Sequence, residues 1–350
     1  MDQRQEELSV WVAEKLNLPS VSLNMVSGDA SFRRYFRAQH EGQSWVIMDA
    51  PPEKEDSTSF VSIAQHWGSY NIAVPTIYHH DLNLGFLILS DMGDIQLFSR
   101  LSGVNGLLSN ERGDMLYQKA MDVLIDIQSL KGDSDYLLPN YDSELLQREM
   151  SLFPDWLLVK KLNLVLSEKT RQLLDAVFQK MEQNALSQVQ VPVHRDYHSR
   201  NLMVEQNGEL GVLDFQDAVM GPITYDLVSL LRDCYVTWPE EKVSQWCETY
   251  WGTLNRKELI DIDYSVFKKQ FDFMGIQRHL KAAGIFARLS IRDGKHGYLD
   301  DIPNTVDYII SVSEQYPELA SFHQFLVTKV KPNLSMLNKQ DSNSNRANHK

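Results

Sequence analysis

Cysteine is nearly missing from this chain: Cys234 and Cys247 are the two in 350 residues, and no CxxC pair occurs. A disulfide framework and a thiolate zinc site are thereby excluded as organising principles, and a reducing cytoplasm is the expected setting. No apolar run reaches the roughly 18 residues of a membrane span, and the opening Met1-Asp2-Gln3-Arg4-Gln5-Glu6-Glu7 lacks both regions of a secretory signal. Positive charge is in short supply, with 34 Lys and Arg against 47 Asp and Glu and a net charge of -13. A body this acidic repels a phosphodiester backbone, so nucleic acid is not an expected partner. That argument does not reach a small anion held by a local group of arginines. Two nucleotide signatures are also absent: neither G-x-x-x-x-G-K-[ST] nor G-x-G-x-x-G occurs, which removes a P-loop and a Rossmann site. What remains is 43% apolar and 23% charged, the composition of a folded globular chain with room for two lobes.

The hydrophobic rhythm changes along the chain. Leu8, Val10, Trp11, Val12 and Leu16 suggest a short leading helix, and residues 21–27, 33–39 and 44–50 alternate as three strands of an antiparallel meander. A helix over 56–70 and strands over 76–80 and 85–90 complete a small lobe, residues 1–92. Beyond it the pattern is helical over 109–130, 143–162, 167–186, 225–235, 240–252, 265–293 and 303–328, which defines a second lobe, residues 93–335. One hairpin interrupts it, 202–204 and 210–213, joined through Asn207-Gly208. The polar stretch 336–350 offers almost nothing to bury and is expected to be a disordered tail. The fold class is therefore α+β: a small antiparallel-sheet lobe followed by a mainly helical one.

Chemistry concentrates around that hairpin. His194-Arg195-Asp196-Tyr197-His198-Ser199-Arg200-Asn201 fits H-R-D-x-x-x-x-N, and Asp214-Phe215-Gln216 follows at the hairpin's end. In phosphoryl transfer the first aspartate takes the proton of the attacking hydroxyl, while the asparagine and the later aspartate hold magnesium on the phosphates of ATP. A hairpin carries the chain out and back, so Asn201 and Asp214 can meet around one hard cation. Either aspartate alone is consistent with an ordinary surface or capping residue; the combined spacing is not. His194 and His198, at i and i+4, lack the glutamate of H-E-x-x-H and lie in a loop, so they do not define a zinc site. The best phosphate-approaching turn is Ser27-Gly28-Asp29-Ala30-Ser31-Phe32, with Gly28 and Ser31 as its small residues. Arg33 and Arg34 follow, and strand alternation puts them on opposite faces.

These residues resemble the aminoglycoside phosphotransferase and choline kinase branch of the protein-kinase-like superfamily, from about residue 21 to about 300. Three runs, Gly28 to Arg37, Val193 to Val204 and Gly211 to Pro222, are similar to the bacterial cell-wall recycling kinases that phosphorylate N-acetylmuramate and N-acetylglucosamine at the anomeric hydroxyl. The run Gly284 to Tyr298 is similar to that group as well. The resemblance implies a bilobal kinase-like fold and an ATP- and Mg2+-dependent sugar kinase. Asp196 would be the catalytic base and Asn201 and Asp214 the metal ligands. The nucleotide would be met by Gly28, Ser31, Phe32, Arg33, Arg34 and the segment Leu87 to Met92, which includes Leu89 and Asp91.

The chain departs from the kinase pattern at one place: residues 45–49 and 59–63 offer neither the third-strand lysine nor the following glutamate. Arg33 or Arg34 is expected to supply the missing charge. For the sugar, Asp217 is placed to bind hydroxyls, and Arg200, Arg288 and Arg292 are candidates for the lactyl carboxylate of N-acetylmuramate. Arg288 and Arg292 share a helix face and fit a solvated surface equally well. Two other readings stand beside this one: a kinase of an aminoglycoside or choline, and a catalytically silent nucleotide-binding protein. ATP and the acceptor are the expected partners; nothing suggests an obligate protein partner or a membrane.

Overall fold

The computed structural model describes residues 2–28, 32–101, 110–131, 137–205 and 208–335. Ser31, the Asn207 corner of the hairpin and the 336–350 tail lie outside the described residues. The chain divides into two compact units, one of Met1–Leu138 with His194–Ala218 and one of Pro139–Val193 with Val219–Lys350. The segment His194–Ala218 thus belongs with the N-terminal sheet, whereas the change of period alone predicts a boundary near 92. Backbone pairing explains the difference: Val204 N–H donates to Ile95 C=O, Val212 N–H to Ala73 C=O and Phe98 N–H to Ser199 C=O.

In the first unit, α1 (Gln3–Lys15) starts at the Asp2 cap, whose carboxylate accepts the Gln5 N–H at 2.8 Å. Its Leu8, Trp11 and Val12, spaced i, i+3, i+4, make one apolar stripe. That stripe closes a core with Leu23, Phe36, Ala38, Ile47, Phe86 and Ile88. The sheet beneath it is antiparallel, in the order β1 (Asn24–Gly28), β2 (Arg34–His40), β3 (Gln43–Asp49), β5 (Phe86–Ser90), β4 (Ile77–Asp81). The β2–β3 hairpin pairs His40 with Gln43 across Glu41 and Gly42, both at positive φ (48° and 82°), the two-residue turn whose twist matches its strands. On the α1 face Asp49 is fully buried and takes both Arg4 and Arg34, the latter also gripping Asp2. α2 (Thr58–Ser69), α3 (Leu97–Leu101) and α4 (Asn110–Gln128) follow, and then the hairpin β7 (Leu202–Val204) and β8 (Leu210–Val212).

The second unit is built on α9 (Tyr264–Asp293), with α5 (Ser143–Leu152), α6 (Glu168–Leu186), α7 (Tyr225–Leu231), α8 (Glu240–Arg256) and α10 (Ile302–Glu314) packed on it. Two expectations are corrected here. The helix expected over 143–162 becomes π-helical over Phe153–Lys161, because Pro154 has no N–H for the α-helical ladder. The helix expected over 303–328 breaks at Tyr316, which is extended ahead of Pro317, and resumes as α11 (Ala320–Phe325). A strand pair without a sequence signal also forms, β6 (Gln190–Val193) against β9 (Val219–Pro222). Four-residue strands containing Pro192, Gly221 and Pro222 carry no readable period, and their pairing is set by residues nearly thirty positions apart.

Gly85 sits at φ +71°, where a Cβ would lie 1.9 Å from the Ala50 carbonyl oxygen; its own carbonyl accepts the Ala50 N–H at 2.8 Å. A Cβ at Gly42 would meet nothing within 4 Å. Gly85→Ala is therefore expected to cost more than about 2 kcal/mol, while Gly42→Asn costs less than about 1 kcal/mol because asparagine tolerates the left-handed region. Chemical denaturation followed by tryptophan fluorescence measures both.

Candidate active site

The loop after β6 and the β7–β8 hairpin are locked by a buried imidazole. His194 is fully buried; its Nδ1 accepts the Asp196 N–H at 3.2 Å, so its Nε2 carries the hydrogen and donates to Leu213 C=O at 2.8 Å. One side chain thus ties the backbone of Asp196 to the residue before Asp214. Further bonds close the loop: His198 N–H to Asp196 C=O (3.0 Å), Asn201 N–H to His198 C=O (2.9 Å) and Leu213 N–H to Asn201 C=O (2.9 Å). Tyr197, fully buried, donates its hydroxyl to Ala120 C=O of α4 at 2.8 Å.

Two residues of this arrangement sit in the left-handed region, Arg195 at φ 76° and Asp214 at φ 63°. Non-glycine residues there cost on the order of 1–3 kcal/mol each, and the packing around them holds them in place. Phe215, fully buried, stacks on Phe60 of α2 at 4.9 Å and tilts against Trp67 at 5.8 Å, while Trp67 lies 6.1 Å from the His194 ring.

Asn201 donates through Nδ2 to Asp196 C=O at 3.0 Å and faces the Asp214 carboxylate at 3.4 Å, which leaves its Oδ1 as the acceptor end of the amide. Gln216 donates to the other Asp214 oxygen at 2.8 Å. The Asn201 amide oxygen and the Asp214 carboxylate are hard donors, too few to enclose a cation by themselves. They fit Mg2+, which keeps water and phosphate oxygens in its shell. Among the described residues no group of three or more His, Cys, Asp or Glu is arranged to hold a metal, so nothing there matches a thiolate or imidazole site.

The other candidates separate clearly. Arg34 is bound by Asp49 and Asp2 on the α1 face, whereas Arg33, mostly buried, lies on the opposite face with its Nε 3.4 Å from Glu55. Burial works against the charge of Arg33, but Tyr35, Asp214 and Glu55 outweigh it and push the guanidinium's pKa above its ordinary value. Phe32 is exposed, with Lys54 over its ring and its N–H bonded to Glu55. The Gly28 backbone ends β1, paired with Arg34. Leu89 is a buried residue of β5. Asp91, just after β5, is gripped bidentately by Arg37 (2.7 and 2.9 Å) and accepts the Ser44 hydroxyl and the Gly93 N–H. Arg200 lies over the Phe98 ring, and Asp217 is exposed, with its carbonyl accepting from Arg195. Arg288 and Arg292 belong to the second unit, on α9. Arg292 is exposed and engaged by the neighbouring Asp293 carboxylate through two bonds. Arg288 is half-buried, and burial, with Arg292 beside it, lowers its pKa.

Glu55 carries no signal of its own in the sequence, and Arg37 stands there as one of the second-strand arginines with Arg33 and Arg34.

The chain belongs to the phosphotransferase enzyme family, whose model matches residues 22–259. It is 40% identical over 336 residues to an N-acetylmuramate/N-acetylglucosamine kinase of Pseudomonas putida, covering 93% of this chain and 96% of that one. A Neisseria meningitidis protein of the same name is 40% identical over 330 residues, covering 94% and 96%. The fold is similar to that of a Plasmodium vivax ethanolamine kinase, with a TM-score of 0.61 at 13% identity over 88% of this chain and 85% of that one. It is thus an α+β kinase-like fold, and the chain is an enzyme of the phosphoryl-transfer class.

Burial raises the Asp91 pKa, but Arg37, Ser44 and the Gly93 N–H outweigh it and hold the carboxyl below the usual carboxylate range. A depressed folded pKa means stabilisation that is full above the unfolded value, about 3.9, and fades as pH falls through the folded one. Asp91→Asn is expected to lower stability by about 2 kcal/mol at neutral pH. Thermal melts of both proteins should converge as the pH drops below about 4.

Proposed function

We propose that this protein is an ATP- and Mg2+-dependent kinase that phosphorylates the anomeric hydroxyl of N-acetylmuramate and N-acetylglucosamine, in the cytoplasm, during recycling of cell-wall sugar. The observation that carries the reading is the hydrogen-bonded set of Asp196, Asn201 and Asp214 on one loop and hairpin. The names of the two relatives, at 40% identity over nearly the whole chain, supply the acceptor.

Asp196 takes the proton of the anomeric hydroxyl as the sugar oxygen bonds to the γ-phosphorus and the bond to ADP breaks, general-base help of roughly two to four orders of magnitude. Asn201 and Asp214 would hold Mg2+, which when bound neutralises charge on the phosphates. His194 keeps Asp196 in register with Asp214 through the two backbone bonds described above. The adenine is read by the segment Leu87 to Met92, and Asp217 and Arg200 serve the sugar. For the lactyl carboxylate, Arg288 and Arg292 stay the candidates that the sequence offers.

ADP release from Mg-ATP, measured with N-acetylmuramate, N-acetylglucosamine, kanamycin and choline, is expected on the two amino sugars alone and to fall about 100-fold or more in Asp196→Asn. Turnover restricted to kanamycin or choline would replace the acceptor. Arg288→Ala should raise KM for N-acetylmuramate about tenfold and leave N-acetylglucosamine nearly unchanged; equal losses on both sugars would remove carboxylate recognition at that position.

A further inference from the structure

The departure at strand β3 leaves the phosphates without the lysine and glutamate that kinase-like sites pair for them. On β3 the positions offer Val46, Ile47, Met48 and Asp49, and Asp49 faces α1, occupied by Arg4 and Arg34. A different cation and a different carboxylate meet on the other face. Arg33 Nε stands 3.4 Å from Glu55, with the two side chains only 11% and 19% exposed. The other oxygen of the same carboxylate accepts the Phe32 N–H at 3.0 Å, so Glu55 pairs with the charge of Arg33 and bonds the backbone just before it.

Glu55 is delivered to this position by α2, which begins three residues later at Thr58. The first turn of that helix carries Phe60, stacked on Phe215, the residue after Asp214. The sheet, α2 and the Asp214 segment are thus joined within one compact unit. The charge of Asp214 is also among those felt at Arg33.

We propose that Arg33 is the cation of the nucleotide phosphates and that Glu55 is its positioning residue, an arginine–glutamate pair that takes the place of the lysine–glutamate pair. The pair rests on the reading of the chain as an ATP-using kinase. Glu55 acts by restricting the guanidinium to a direction toward the phosphates, and does not itself touch the nucleotide. Arginine suits the role because its planar fork chelates two phosphate oxygens while its delocalised charge still pairs with the carboxylate.

The test uses the full-length protein and compares Arg33→Gln, Arg33→Lys, Glu55→Gln, the double variant Arg33→Gln/Glu55→Gln, and Arg4→Gln as a control that loosens the Asp49 clamp on the opposite face. KM for ATP is expected to rise about tenfold or more in Arg33→Gln and several-fold in Glu55→Gln. Arg33→Lys should recover part of the loss, and the double variant should be no worse than Arg33→Gln. Titration calorimetry should show ADP binding weakened in Arg33→Gln with adenosine binding retained, and Arg4→Gln should lower Tm while keeping the KM for ATP. A Glu55→Gln enzyme with unaltered KM, additive losses in the double variant, or an equal rise in KM in Arg4→Gln would overturn the proposal. Failure of the unsubstituted protein to bind ADP at all would instead overturn the kinase reading on which it rests.

Discussion

Everything in the site hangs from the His194 imidazole. Its two nitrogens are committed in opposite senses, one accepting from Asp196 N–H and one donating to Leu213 C=O, and the ring is fully buried among Trp67 and Tyr197. No other common side chain offers an acceptor and a donor on opposite edges of a rigid plane of that size. Because both partners are backbone groups, the constraint falls on the path of the chain, and the side chains of Asp196 and Asp214 inherit their places from it.

The same region contains two left-handed residues, Arg195 and Asp214. Their conformational cost is sustained by cooperative burial: Phe215 under α2, Tyr197 against α4, and the hairpin bonded to residues 73 and 95. The sheet contributes from the other direction. Its α1 face is closed by an apolar stripe and the Asp49 clamp, which engages Arg34 and leaves Arg33, one residue earlier, on the opposite side.

What was legible in the sequence followed the length over which a signal is repeated. The strands of the meander and the helices expected over 109–130, 167–186 and 265–293 each carry several residues in phase, and they formed close to where they were expected. The H-R-D and D-F segments were legible because their chemistry is written in adjacent residues. Illegible were the π-helix, a local effect of Pro154 with no periodic signal, and features decided by one residue against a distant partner: the β6–β9 pair and Glu55, whose meaning comes only from its meeting with Arg33. Arg33 and Arg34 were equivalent as text; Asp49, fifteen positions on from Arg34, distinguished them.

The first unit is discontinuous in sequence: it breaks off at Leu138 and resumes at His194. During synthesis the chain emerges in order, so α1 and the five-stranded sheet are available early, while the segment bearing Asp196, Asn201 and Asp214 arrives only after an excursion of 55 residues, Pro139–Val193, through the other unit. Closing so long a loop delays folding more than it reduces final stability. A ribosome-bound chain that has not yet delivered Ala218 therefore lacks the segment that completes its first unit.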